Sequence, residues 1–202
     1  MHPTLTQVLT SLEQSRERLR TAIETIPGEL RDQPPGSDRW SVAAVLEHLA
    51  LVAERAAGVV GRKVAEARTA NAGPEETSPA VLTPQAETML IDRSSKREAP
   101  EAVRPAGLTY AAALARLDAG RTALKTTLVS ADGLALGKLV HEHPRFGPLN
   151  PYQWAGFVAA HELRHAAQIA EIASQLDVSR RSPEGAPADA RAPRAAEAAM
   201  KP

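Results

Sequence analysis

Apolar residues recur along the first part of the chain with the period of an amphipathic helix. From about Thr4 to Ile26, leucine, isoleucine and valine follow one another at spacings of three and four, so that they share one face. Pro27 and Gly28 then end the pattern. The pattern predicts a first helix with one face buried.

Two further helices are predicted by the same period. The second begins in the run WSVAAVLEHLALVAERAAGVV, where Ser41 can cap the first turn and Trp40 can form a hydrophobic staple with Val45. The third follows Thr109, because Tyr110 and a series of leucines come after it at spacings of three, four and seven.

A fourth helix is predicted from Asn150 and Pro151, a capping residue followed by a proline at the first helical position, to about Leu176. Residues 69–108, between the second and third helices, are rich in Pro, Gly, Thr and Ser and lack a long periodic pattern. A connection of that length is unusual in a compact domain and suggests a crossover or a functional loop. The prediction is therefore an all-α four-helix bundle whose second and third helices are parallel.

The composition agrees with a helical domain. Ala, Leu and Val dominate an apolar fraction of 43%, aromatic residues make up 3%, and no reliable strand is predicted. Of the 202 residues, we assign 1–176 to one bundle domain. Residues 177–202 are rich in Pro and Ala and are predicted to be a disordered tail, which can include a short frayed helix.

Charge and cysteine content restrict the function. Lys plus Arg equals Asp plus Glu at 24 each, so neither a nucleic-acid partner nor an anionic membrane is predicted. There is no cysteine, so any metal ion must be bound by nitrogen and oxygen. Neither a secretory signal nor a membrane-spanning run is recognised, and a cytoplasmic protein is expected.

Histidines within apolar faces are the strongest chemical signal. In HELRHAAQIAEI, His161 and His165 lie one turn apart on the apolar face of the fourth helix, and imidazoles at i and i+4 can bind one ion. His48 flanks the apolar stripe of the second helix at a similar height, so the three rings can converge where bundles build metal sites. The alternative is a packed histidine that is hydrogen-bonded to a carboxylate or a carbonyl.

Two sequence blocks resemble a known family. RWSVAAVLEHLALV is similar to the "W-S … E-H-L" signature of the DinB-like superfamily, which includes the YfiT-type metal hydrolases. HPRFGPLNPYQWAGFVAAHELRHAAQI is similar to its C-terminal signature, a His-Pro-x-x-Gly loop, a tryptophan and His-x-x-x-His followed by Gln. The resemblance covers most of residues 5–176, but not 69–108 or the tail.

The resemblance implies an up-down-down-up bundle, often a homodimer, with one divalent metal ion on His48, His161 and His165. Imidazole ligands suit zinc, nickel, iron or copper, so the identity of the ion stays open, with zinc, nickel or iron expected. Three protein ligands leave coordination positions free, as in catalytic sites. Relatives include hydrolases and transferases or isomerases that use low-molecular-weight thiols, and the sequence does not choose between them. The alternatives are a non-catalytic metal-binding or stress-response bundle and a metal-free bundle.

Charged and polar residues near these stripes supply further hypotheses. Arg16 and Arg121 fall in the middle of the stripes of the first and third helices, and we predict that they bind an anionic group of the substrate. The alternative is that each stem packs against the core while its head reaches solvent or meets a carboxylate such as Glu13 or Asp118. Gln168 can hydrogen-bond a ligand imidazole or a bound water. Glu47 points about 100° around the helix from the neighbouring His48. Its carboxylate is therefore expected to pair with a surface residue or to support a metal ligand through a hydrogen bond.

The remaining histidines and aromatics carry weaker expectations, and no catalytic acid or base is assigned. His141 and His143 precede the fourth helix in a loop that prolines make rigid, and a solvated or capping role is expected for them. His2 is uninformative. Tyr110 and Trp154 are expected in the core.

Overall fold

The computed structural model describes residues 1–94 and 97–181, the last five as backbone only. It contains α1 (Pro3–Glu24), α2 (Val42–Thr69), α3 (Pro84–Ile91), α4 (Tyr110–Ser130) and α5 (Pro151–Arg181), with a hairpin of β1 (His141–His143) and β2 (Gly147–Leu149). Short 3-10 turns lie at Gly28–Leu30, Glu101–Val103 and Leu136–Lys138. The four long helices correspond to the four predicted ones.

The predicted starts of three long helices are confirmed by their caps. The Ser41 hydroxyl accepts the backbone N–H of Ala44 at 3.1 Å, and Thr109 caps α4 in the same way. Asn150 and Gln153 bond each other's backbone N–H groups at 3.0 and 2.9 Å, so both satisfy donors at the start of α5. Local hydrogen bonding therefore explains where these helices begin.

Two apolar clusters show how the long helices run. One cluster joins the early parts of α1 and α5 to the late parts of α2 and α4. The other joins the late parts of α1 and α5 to the early parts of α2 and α4. Hence α1 and α5 run one way and α2 and α4 run the other way, which confirms the predicted up-down-down-up bundle. Buried polar side chains, described below, lie at the level between the two clusters.

The long crossover between α2 and α4 contains a helix that the sequence pattern did not indicate. The eight-residue α3 packs against α5, with Leu90 buried in the first apolar cluster. An isolated helix this short is unstable in water, so it depends on the tertiary contact. Gly156 of α5 permits a close approach of the crossover, since a Cβ atom there would lie 2.7 Å from Cγ1 of Val81 and 3.2 Å from Cγ of Leu82.

We expect Gly156→Ala to lower the free energy of unfolding by about 1–3 kcal/mol, because the crossover must shift to accept the added methyl group. Gly61→Ala, inside α2, is the matched control, because a Cβ atom there meets nothing within 4 Å. Higher helix propensity should stabilise that variant by up to about 1 kcal/mol. Urea unfolding measures both effects. Equal stability of the two variants would contradict the close packing at Gly156.

Two expectations about chain organisation are corrected. The segment before α5 forms an antiparallel hairpin, with His141 opposite Leu149, although no strand was predicted. Strands of three residues are too short to show an alternating pattern. α5 continues to Arg181, so the predicted boundary at residue 177 falls inside the helix. The rest of the predicted tail, 182–202, lies outside the described residues.

Within the described ranges, no helix combines the length and the apolar character that a membrane span requires.

Candidate metal centre

Three histidines from two helices meet at one point in the bundle. His48 comes from α2, while His161 and His165 lie one turn apart on α5. The Nε2 atom of His161 is 3.1 Å from Nε2 of His165 and 3.4 Å from Nε2 of His48. One ring nitrogen of each residue lies within 4.8 Å of the other two. The structure therefore brings together the three histidines that the sequence analysis selected.

The hydrogen bonds of the other ring nitrogens indicate which nitrogens carry protons. Nδ1 of His48 lies 2.7 Å from the carbonyl oxygen of Val103, which can only accept. Nδ1 of His165 lies 2.7 Å from Oε1 of Gln168, so the amide oxygen accepts in the same way. Both Nδ1 atoms are thus assigned as donors, and both Nε2 atoms present lone pairs to the shared centre.

This donor set fits a divalent transition metal ion. The Nε2 atoms of His165 and His48 lie 3.1 and 3.4 Å from Nε2 of His161. Nitrogen lone pairs this close repel one another unless a proton or a cation lies among them. An ion bound tetrahedrally at about 2.0–2.1 Å from each nitrogen separates the nitrogens by about 3.3–3.4 Å. The observed separations lie close to that value, whereas an ordinary core histidine has no such neighbours.

Burial keeps the three imidazoles neutral at physiological pH. Desolvation is the main cause that lowers the pKa of each ring, and it lowers the pKa of His165 to about 3. Because these folded-state pKa values lie below the value of about 6.5 in an unfolded chain, the neutral rings favour folding above that pH. This contribution to stability is lost as the pH falls from about 6.5 towards the folded-state pKa values of the rings. Neutral rings are also the form that binds metal.

A cavity of about 720 Å³ opens onto the histidines. Its walls come from α2, the crossover, the hairpin and α5. His48 and His165 are buried, whereas His161 is half-buried, so the centre can be reached from the cavity. The volume lies within the range of small-molecule sites. Metal sites with three protein ligands and such access leave positions for a water or a substrate.

The structure corrects the position predicted for Arg16 and Arg121. The Arg121 guanidinium pairs with Glu162 and donates to the carbonyl oxygen of Leu12 at 2.6 Å, so it lies within the polar layer of the bundle. The Arg16 guanidinium pairs with Asp118, which is the alternative considered from the sequence. Each head pairs with a carboxylate of another helix, because a guanidinium inside a bundle is stable only when paired. Neither lines the cavity.

Arg164 is a cavity residue that was not predicted from the sequence. It is buried on the cavity wall, three residues after His161 and one before His165. Like Arg16 and Arg121, it is a charged residue on a buried helical face, so an inward position could have been deduced for it as well. The nearby Glu162 was also missed, and it is buried with its Oε2 accepting from the Ser15 hydroxyl at 2.7 Å.

Glu47 is buried, although surface or supporting pairing was expected. Its Oε2 accepts the backbone N–H groups of Gly107 and Leu108, each at 2.9 Å. Burial opposes ionisation, but these backbone donors outweigh it and lower the pKa of Glu47. The carboxylate therefore anchors the end of the crossover just before α4. It is not a member of the histidine centre.

His143 also differs from its expectation as a loop residue. Its ring is half-buried at the cavity and lies 4.6 Å from the ring of Phe157 and 5.0 Å from that of Trp154. Its Nδ1 accepts the backbone N–H of Arg145 at 3.2 Å, so it also caps the turn. His141 is exposed. Trp154 is buried as expected, and it borders the cavity as well.

Comparisons with known proteins agree with this architecture. The sequence model of the DinB superfamily matches residues 11–169. The uncharacterized protein YuaE of Bacillus subtilis (strain 168) is 26% identical over 157 residues, which cover 77% of this chain and 90% of that protein. The crystal structure of TT2238, a four-helix bundle protein, matches 88% of this chain and 99% of its own, with a TM-score of 0.51 and 22% identity. The structural match supports the fold.

Proposed function

The chain belongs to the DinB superfamily, and from this premise we propose that it is a metal-dependent enzyme of small-molecule chemistry. In this proposal His48, His161 and His165 hold one divalent transition metal ion, such as zinc, nickel or iron. A single observation carries the proposal: three imidazoles whose Nε2 atoms converge lie at the wall of an open cavity. A purely structural metal site would be closed by a fourth protein ligand.

The surrounding residues position the ligands and restrict water. The Val103 carbonyl and the Gln168 amide each hold one ring through its Nδ1, which fixes the ring plane. Phe157 stacks on the ring of His161, with centroids 5.4 Å apart, and shields one side of it. When bound, the ion would supply Lewis acidity, which lowers the pKa of a water or a thiol that enters from the cavity.

Two reaction classes are consistent with such a site, and a screen tests both. Zinc-loaded protein is assayed for transfer of glutathione, bacillithiol or mycothiol to an alkyl halide, and in parallel for hydrolysis of esters and amides. The proposal expects turnover in one arm that disappears in the triple His→Ala variant of the three ligands. Stoichiometric zinc binding without turnover in either arm would favour the non-catalytic alternative, a bundle that binds a ligand or a partner.

We predict that Gln168→Leu weakens zinc binding about 10–100-fold, because the Nδ1 proton of His165 loses its acceptor and the ring loses its orientation. The matched control is Gln7→Leu, at an exposed position of α1. Competition with a chromophoric chelator measures both affinities. An affinity equal to that of the wild type would show that this hydrogen bond does not position the ligand.

The homodimer implied by the family resemblance stays a prediction, which sedimentation equilibrium tests.

A further inference from the structure

The cavity wall beyond the histidines is strongly cationic, although the whole chain carries no net charge. Among the described residues that line it, six arginines face three carboxylates. The arginines are Arg39, Arg55, Arg93, Arg97, Arg145 and Arg164, and the acids are Asp38, Glu98 and Glu171. Like charges concentrated in a cleft raise the local concentration of ligands of opposite charge.

Among these arginines, Arg164 is the one whose position best suits the binding of an anion in the cavity. It is 7% exposed, follows His161 by about one turn of α5, and lines the same cavity as the three histidines. Burial is the main cause that lowers its pKa, followed by the positive charges of Arg97 and Arg93. A guanidinium nevertheless stays charged at neutral pH. A small anion in the cavity would offset this concentration of positive charge.

The other arginines differ in how they are held. Nε and Nη2 of Arg93 donate to the two carboxylate oxygens of Glu171 at 2.7 and 2.6 Å, so this pair ties the crossover to α5. Arg97, further along the crossover, donates one NH group to the carbonyl oxygen of Met89 at 2.9 Å. Arg145 extends from the hairpin on another side of the cavity and is exposed. Separate elements thus bring cationic groups to one space.

Part of the cavity lining is apolar, and this limits the size and shape of a suitable anion. Large side chains from α2, the crossover, the hairpin and α5 form it: Val52, Leu90, Phe146, Trp154 and Phe157. A fully hydrated inorganic ion would gain nothing from these surfaces, whereas an apolar group would be removed from water against them.

We infer that the cavity binds a small organic acid, with its apolar body against the aromatic wall and its carboxylate at Arg164. This inference rests on the proposed function, since it places the acid beside the proposed metal ion. The planar guanidinium suits a carboxylate, which it can bond with two parallel N–H groups. The role predicted from the sequence for Arg16 and Arg121 therefore belongs to a different arginine.

The test compares two probes of the same shape, 4-phenylbutyrate and its neutral amide, by isothermal titration. Each is titrated into metal-free and zinc-loaded protein, so that direct binding of carboxylate to zinc is separated from binding to arginine. The wild type is expected to bind the acid at least tenfold more tightly than the amide in both forms. Arg164→Met should remove that preference, and the exposed Arg18→Met on α1 should keep it.

The outcomes distinguish the two proposals. A wild-type protein that binds zinc but takes acid and amide equally would overturn the inference and leave the metal site intact. A protein that binds no zinc but still prefers the acid would refute the proposed function while supporting the anion site. If Arg164→Met does not fold, Arg97→Met replaces it, with a partial loss of preference expected. A preference unchanged in every arginine variant that folds would also overturn the inference.

Discussion

Replacing Arg121 by methionine is expected to lower the free energy of unfolding by about 3–5 kcal/mol, because it leaves a buried carboxylate without its partner. The Arg121 and Glu162 side chains are 7% and 1% exposed, so water cannot replace the lost contact. The substitution also leaves the Leu12 carbonyl without the guanidinium N–H that now reaches it. Methionine keeps an unbranched stem in place of the arginine stem, so the effect reports mainly the loss of the charged head.

The matched control is Arg116→Met, which breaks the ion pair between Arg116 and Glu54. Both of those side chains are 39% exposed, so the expected loss is at most about 1 kcal/mol. Urea unfolding of protein treated with a chelator measures both variants without a contribution from bound metal. Equal losses in the two variants would show that the buried pair contributes no more than the surface pair.

The pH dependence of the Arg121→Met variant gives a second check. Burial already raises the pKa of Glu162 in the wild type, and loss of the cation should raise it further. A carboxyl group whose pKa is higher in the folded state destabilises the protein above its unfolded pKa, near 4.3, and this penalty disappears as the pH falls below it. The deficit relative to the wild type should therefore shrink between pH 7 and about pH 4.

The second large effect concerns metal affinity. His161→Ala is expected to weaken zinc binding by more than about a hundredfold, because loss of a direct ligand should exceed the 10–100-fold effect of losing a supporting hydrogen bond. His161 is the ring whose Nε2 lies close to both of the other Nε2 atoms, at 3.1 and 3.4 Å. Its removal leaves two nitrogens, too few for a stable tetrahedral site.

His141→Ala is the control, because His141 is an exposed histidine outside the centre. Chelator competition and the zinc content of protein purified without a polyhistidine tag measure the two variants. Zinc should also raise the melting temperature of the wild type and the control but not of His161→Ala. If His161→Ala retained one zinc ion per chain with an affinity similar to that of the wild type, the ion would be bound elsewhere and the proposed centre would be wrong.

Much of the fold could be predicted because its signals are local. The caps at Ser41, Thr109 and Asn150 depend on a few consecutive residues, and the apolar period directs whole helical faces to the core. The helix α3 and the hairpin at His141–His143 could not be predicted in this way. Each is too short to carry a period, and α3 depends on contact with α5, which residues such as Gly156 allow.

The candidate centre was partly predictable for the same reason. The spacing of His161 and His165 places both rings on one helical face, and the family resemblance connects them to His48. The arginines show the limit of this reasoning. An inward position could be deduced for both Arg16 and Arg121, and Asp118 could be named as a partner, but the pairing of Arg121 with Glu162 could not.

The sequence alone determined which side chains turn inward, since helical period and capping act over a few neighbouring residues. It therefore determined the bundle and the three candidate ligands. Only the tertiary structure decided which inward charges pair across helices and which line the cavity. The Arg121 guanidinium pairs with Glu162, whereas Arg164 lines the cavity wall. Such partnerships join residues that are distant in the chain, and the free energy of burying a charge depends on those distant neighbours.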